Sequence, residues 1–285
     1  MATRTVVFVG IVTFALGCSK SGSEKPTPVI SVGTTSPTTK PADATTLPPN
    51  DDPTKPVYTF QPRSVTFSDA VTENSPEEQM PPPDRTLNGL STGKLREAVQ
   101  KQFEQVGFTA PSGRKLAYTA MVDTEYGPVT MALLPEVAPN HVRNFIALAR
   151  AGYYDGLLFE HVVQQEGEGG AKLEMIEGGC PLGTGEPGIG HLGYWLKPEF
   201  SDKVTHEEGT VGACRDDQPD SAACRFYITL SKAPVLDGNY TVFAKVTQGL
   251  DAVRKIGQLP RPDGSNRPLK PAGIRKVTIQ TREVD

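Results

Sequence analysis

Apolar residues recur along this chain at two spacings. Between Ser91 and Gly107, Leu95, Val99, Phe103 and Val106 fall three or four positions apart, with Glu97 four residues before Lys101 and a glycine at the end. That pattern predicts one helix whose apolar stripe packs on the domain that follows. A second helix is predicted where Val142, Phe145, Ile146 and Ala149 share a face and Gly152 stops it. Elsewhere the spacing is closer to two. Leu116–Val122 and Val129–Leu134 flank Thr124-Glu125-Tyr126-Gly127 and read as a hairpin. Leu158–Val163, Arg225–Leu230, Tyr240–Val246 and Ile274–Thr281 read as further strands, with a short helix near Leu250–Ile256. Few helices among many short strands predict a mainly β domain over residues 111–285, a closed barrel or a sandwich, with a helix and linker at 91–110 before it.

The N-terminal part carries neither spacing. The chain holds 26 prolines and 28 glycines among 285 residues, and Pro26, Pro28, Pro37, Pro41, Pro48, Pro49, Pro53, Pro56 and Pro62 are strung through Thr- and Ser-rich sequence. Such a segment buries too little apolar area to offset the entropy of ordering, so residues 18–90 are read as a disordered tether. Before it, Arg4 precedes the apolar run Val6–Leu16, too short to span a bilayer, which reads as a signal peptide over residues 1–17. Its end, Ala15-Leu16-Gly17-Cys18, resembles the lipobox of bacterial lipoproteins, with Ala15 where that motif usually has Leu. The resemblance implies lipidation of Cys18, a membrane attachment through that lipid, and, with Ser19 next, placement at the outer membrane facing the periplasm.

Charge and cysteine content narrow the chemistry. A net charge of −4 without a basic run gives no electrostatic reason to bind nucleic acid. Beyond Cys18, three thiols remain at Cys180, Cys214 and Cys224. Cys214 and Cys224 close a short loop and are the pair that could form a disulfide, although sequence does not give their geometry. No ligand spacing points to a metal site. Gly183-Thr184-Gly185-Glu186-Pro187-Gly188 satisfies a dinucleotide pattern in letters, but Pro187 and Gly190 prevent the helix that the pattern must open, so it reads as a surface loop and no cofactor is expected. Asp216, Asp217 and Asp220, interrupted by Pro219, read as a solvated loop. His141 and His206 are expected at the surface, and no nucleophile–base arrangement is legible. No repeat or coiled coil is present, and the chain reads as a monomer.

Read together, several blocks carry a resemblance. Ala138–Phe145 leads to Ala151-Gly152-Tyr153-Tyr154-Asp155-Gly156 and Phe159-Glu160-His161-Val162-Val163. Then come Glu177-Gly178-Gly179, Gly183-Thr184-Gly185, Pro198-Glu199-Phe200, Gly209-Thr210-Val211, Arg225–Thr229, Leu236-Asp237-Gly238 and Val242–Val246. In this order the chain resembles the cyclophilin family of peptidyl-prolyl isomerases over about residues 114 to 283. The resemblance implies a closed eight-stranded antiparallel barrel capped by two helices, acting without a cofactor on X-Pro bonds of polypeptides.

It also implies a site, and the departures from the family collect there. His161 stands where the family has its principal arginine, Glu177 and Arg225 stand for two glutamines, and these three are the candidate catalytic residues. Met175, Phe226, Tyr227, Leu236, Tyr240 and Cys214 are the candidate substrate-binding residues, with Tyr227 for a phenylalanine, Tyr240 where histidine is frequent, and Val235 where some members have Trp. A neutral imidazole offers one donor in place of a fixed guanidinium fork, and with a reference pKa near 6.5 imidazole is mostly uncharged at neutral pH. Two readings follow: an isomerase of envelope or exported proteins with reduced turnover, or a Pro-peptide-binding chaperone or assembly module without turnover.

Overall fold

A computed structural model describes residues 66–166 and 172–284. The expected signal peptide, Cys18 and the expected tether up to residue 65 lie outside the described residues.

The tether reading fails from residue 66 onward. Helix α1 (Phe67–Ala70) begins at a Thr66–Asp69 capping box, and strand β1 (Val71–Thr72) follows it directly. Phe67, Ala70 and Val71 are buried. The segment then runs as a strap to helix α2 (Thr92–Gln105). Three apolar anchors in proline-rich surroundings leave composition unchanged but fix the segment. Helix α2 buries Leu95, Val99 and Phe103, and packs on helix α3 (Pro139–Arg150), as its stripe predicts.

Strands β2 (Lys115–Thr124) and β3 (Gly127–Leu133) form the expected hairpin, with Thr124 opposite Gly127. Their buried residues alternate: Tyr118, Ala120, Val122 and Thr124 on one strand, Val129, Met131 and Leu133 on the other. Helix α3 follows, with Pro139 in its first turn and the Glu199 carboxylate accepting from the Asn140 and His141 N–H groups. His141 is therefore buried rather than on the surface, its Nδ1 2.8 Å from Glu199 Oε2.

Beyond α3 come β4 (Leu158–Phe159), β5 (His161–Glu166), β6 (Lys172–Gly178), β7 (Trp195–Leu196), β8 (Thr210–Ala213), β9 (Phe226–Thr229), β10 (Val242–Gln248), helix α4 (Leu250–Gly257) and β11 (Ala272–Val284). The short β7 pairs with β1, tying the strap to the loop after β6. The remaining nine strands run antiparallel in the order β4-β11-β2-β3-β10-β8-β9-β6-β5. The two ends of that order, β4 and β5, are separated in sequence only by Glu160. Counted as one interrupted strand they give the expected eight and bring the sheet round into a nearly closed barrel. Helix α3 packs on β10 and β11, and α4 on β3, β5 and β6.

The strands on the site side bury both faces, and alternation divides their side chains into two groups. Val162, Ile176, Phe226 and Ile228 join the main core with Phe145, Tyr154 and Phe243. Val163, Met175 and Tyr227 face the other way into a smaller apolar cluster.

Candidate active site

The register across four strands assembles the site. His161 on β5 pairs with Glu177 on β6, Glu177 with Tyr227 on β9, and Tyr227 with Gly212 on β8. Cross-strand partners share a face, so these four form one row, and Arg225, two residues before Tyr227, joins it. Beside the row, Met175, Tyr227, Cys214, Leu236 and Tyr240 pack together with Val163, Leu173 and Ala233. Leu236 arrives on a short 3-10 turn, Pro234–Leu236, and Val235 beside it is exposed. Eight of the nine candidate site residues thus converge. Phe226 does not: alternation turns it into the main core, edge-on to the Phe145, Tyr154 and Phe159 rings, so it is not a substrate contact.

The same parity corrects the disulfide reading. Ala213 pairs with Phe226 and the Cys214 N–H donates to the Arg225 carbonyl, so Cys214 sits opposite Arg225, one residue out of step with Cys224. Their side chains occupy opposite faces, Cys214 in the small cluster and Cys224 in the main core, and none of the three described cysteines is in a disulfide.

The polar rim is a buried charge network. Arg225 Nη2 donates to Glu177 Oε2 at 2.8 Å, and Arg225 Nε donates to Glu160 Oε1 at 3.3 Å. His161 Nδ1 lies 3.1 Å from the same Glu177 oxygen. The Cys180 N–H donates to Glu160 Oε1 at 3.2 Å, while Glu160 Oε2 is buried with no hydrogen-bond partner among the described residues. Burial opposes ionisation of Glu177, but the His161 hydrogen bond and the Arg225 guanidinium outweigh it and hold this carboxyl below the usual range. Glu160 goes the other way: burial, only partly offset by Arg225 and His161, pushes it up to about 7.

The sequence reading missed Glu160 as a site residue, although it adjoins His161, because its pairing with Arg225 depends on the fold. It has a measurable consequence. A carboxyl raised from 4.5 to about 7 holds its proton more tightly in the folded chain. Its stabilising contribution is complete below about 4.5 and is lost as pH rises through about 7, roughly 3 kcal/mol over that interval. Urea denaturation of Glu160→Gln against the parent from pH 4.5 to 8 is therefore expected to show the variant gaining relative stability as pH rises. Parallel curves would contradict this assignment.

The glycine pattern holds the site loop in place. Gly185, at φ +74°, lies on the His161 ring, where a Cβ would collide with the edge carrying Cε1 and Nε2. A Cβ on Gly190 would come within 2.9 Å of Arg225 Cδ. Of the three glycines in the dinucleotide pattern, Gly185 packs against the charged rim, Gly183 against Leu87 and Leu158, and Gly188 against the strap backbone, so the loop is not a free surface loop. The strap fastens it from outside. The Met80 N–H donates to the Gly188 carbonyl at 2.9 Å, Gln79 Nε2 to Asp216 Oδ2 at 2.7 Å, and Trp195 Nε1 to Gln79 Oε1 at 3.0 Å. Asp216, read as part of a solvated loop, also accepts from the Gly188 N–H at 2.9 Å.

A family model described as cyclophilin type peptidyl-prolyl cis-trans isomerase/CLD matches residues 119–279. Peptidyl-prolyl cis-trans isomerase ppi1 of Schizosaccharomyces pombe is 34% identical over 55% of this chain and 95% of its own. Peptidyl-prolyl cis-trans isomerase cyp15 of Rhizopus delemar is 31% identical over 65% of this chain, which spans only 28% of that relative's length. Among solved structures, a cyclophilin-type isomerase of Cryptosporidium parvum, crystallised in the presence of the dipeptide Ala-Pro, is similar. Its TM-score is 0.50 at 26% identity, covering 57% of this chain and 98% of that one. With the barrel, the row on β5, β6, β9 and β8 and the matched 119–279 segment in agreement, this chain belongs to the cyclophilin-type peptidyl-prolyl cis-trans isomerase family.

Proposed function

We propose that this domain isomerises X-Pro bonds in exposed polypeptide segments, using His161 and Arg225 in place of the family's arginine. The observation that carries the reading is the shared Glu177 carboxylate. It holds both candidate residues, His161 at 3.1 Å and Arg225 at 2.8 Å, beside the buried Met175, Tyr227 and Leu236 cluster. The barrier to be lowered is about 18–20 kcal/mol and reflects amide resonance, which is lost in the twisted state. A donor near the prolyl nitrogen and its neighbouring carbonyl favours that state, and the apolar cluster takes the ring. Tyr240 borders that cluster, edge-on to Tyr227 with the Arg215 guanidinium 4.3 Å from its ring.

With Nδ1 against Glu177, the ring atom of His161 left for substrate is Nε2, on the edge beside Gly185. His161→Ala is expected to lose roughly 100-fold in kcat/KM, the usual loss for one transition-state hydrogen bond. Full activity in His161→Ala would remove His161 from the mechanism.

A second reading, binding without turnover, is favoured by one observation. The Arg225 side chain is only 6% exposed and already serves two carboxylates. For location, the Ala15–Cys18 motif supports a lipid anchor in the bacterial envelope, from which a monomer would reach prolyl segments of exported proteins. Metabolic labelling with a fatty-acid analogue, abolished by Cys18→Ala, is the expected result for that anchor.

A further inference from the structure

The Tyr227 hydroxyl is held by a side chain outside the apolar cluster. His206 Nδ1 is 2.7 Å from Asp237 Oδ1, and the His206 backbone N–H donates to the same oxygen at 2.8 Å. His206 Nε2 is 2.7 Å from the Tyr227 hydroxyl. The two rings stack at 5.9 Å with 26° between their planes. Tyr227 is fully buried and His206 is 1% exposed, against the sequence expectation of a surface histidine. The hydroxyl lies over Gly212, where a Cβ would overlap it, so the glycine on β8 makes room for the extra oxygen. Burial pushes the His206 imidazole down from its ordinary value, against the upward pull of Asp237, and burial pushes the Tyr227 phenol well up. With a neutral ring and Nδ1–H donated to the carboxylate, Nε2 accepts, and the Tyr227 O–H donates to it.

We propose that His206 and Asp237 are positioning residues for substrate binding, holding the Tyr227 ring in place as the wall against which the proline ring packs. The proposal rests on the isomerase reading of this surface. Asp237 supplies the carboxylate at the loop end of the relay, its side chain 29% exposed, and Gly212 supplies the space at the other end. In the relay neither His206 nor Asp237 touches substrate. Both act through Tyr227, and their loss therefore affects KM and leaves kcat nearly unchanged.

The test uses the intact chain and an Ala-Pro tetrapeptide. His206→Ala is expected to raise KM about fivefold, the worth of one buried hydrogen bond, with kcat within about twofold. His206→Gln, whose amide donates to Asp237 and accepts from Tyr227, is expected to stay near the parent. In a Tyr227→Phe background, His206→Ala is expected to add nothing further. A fall in kcat without a change in KM, or additive effects of Tyr227→Phe and His206→Ala, would overturn the proposal. Nitrogen NMR of the His206 ring gives a readout that needs no peptide. A protonated Nδ1 with an unprotonated Nε2 that shifts in Tyr227→Phe is expected, and a protonated Nε2 would overturn the relay. If the parent neither binds nor isomerises the peptide while the ring NMR shows the relay, the substrate-binding role falls with the isomerase reading. If the parent turns over and the ring NMR shows no relay, the proposal alone is wrong.

Discussion

Replacing Arg225 with leucine is expected to lower the unfolding free energy at pH 8 by about 3–5 kcal/mol, because it leaves two buried carboxylates without their cation. Glu160 is fully buried and the Glu177 side chain is 7% exposed, so neither can recover hydration without opening the barrel end. Deprived of the guanidinium, both carboxyls must take up protons, which happens more readily in acid. The deficit is thus expected to shrink at pH 5. The triple variant Arg225→Leu, Glu160→Gln, Glu177→Gln removes all three charges and is expected to recover most of the lost stability, since the penalty comes from unpaired charge rather than lost packing. Urea denaturation at the two pH values checks this. A leucine variant as stable as the parent at pH 8 would mean that Arg225 does not neutralise this site.

Phe67→Ala is the second large effect, expected to cost about 3–5 kcal/mol as a large-to-small change at a packed position. Phe67 is 2% exposed, with its ring edge-on to Phe103 at 5.4 Å and to Tyr194 at 4.9 Å. It precedes residues 119–279, so a domain cut at the family boundary omits it. The consequence reaches the site through the strap. The Lys197 N–H donates to the Ala70 carbonyl and the Met80 N–H to the Gly188 carbonyl, in the loop whose Gly185 and Gly190 lie on His161 and Arg225. Both amides are expected to lose hydrogen-exchange protection in Phe67→Ala. A stability change within about 0.5 kcal/mol, as for an ordinary surface substitution, would show that the strap is not part of the folded unit.

The parts of the molecule legible in sequence were those whose signal is local. The hairpin at Leu116–Leu134 and the helix stripe of Leu95, Val99 and Phe103 announce themselves within a dozen residues, and the structure places both as expected. The strap was not legible because its anchors are single residues amid proline, and their burial depends on a pairing of Val71 and Thr72 with Leu196 and Trp195, far along the chain. The site was half legible. Block similarity brought His161, Glu177, Arg225 and Tyr227 together, but assigning faces required strand parity. That parity sends Phe226 and Cys224 to the core while leaving Tyr227 and Cys214 at the site. His206 and Glu160 gave no local sign of burial, because their partners Asp237 and Arg225 come from other strands or loops. The departures from the family's polar residues are not independent of one another. Arg225 replaces a neutral amide where Glu160 and Glu177 bring two carboxylates, and His161 completes the same network.

On the proposed function, the altered rim still turns prolyl bonds. The direct measurement is exchange NMR on an Ala-Pro peptide with residues 66–285, recording cis/trans exchange and peptide line shifts together, for the parent and for His161→Ala. The uncatalysed interconversion takes roughly tens to hundreds of seconds, so even an enzyme weakened by several kcal/mol remains visible against it. Exchange faster than the peptide alone, reduced in His161→Ala, is the expected result. Peptide line shifts with exchange at the uncatalysed rate would contradict the claim and leave a prolyl-binding module in its place.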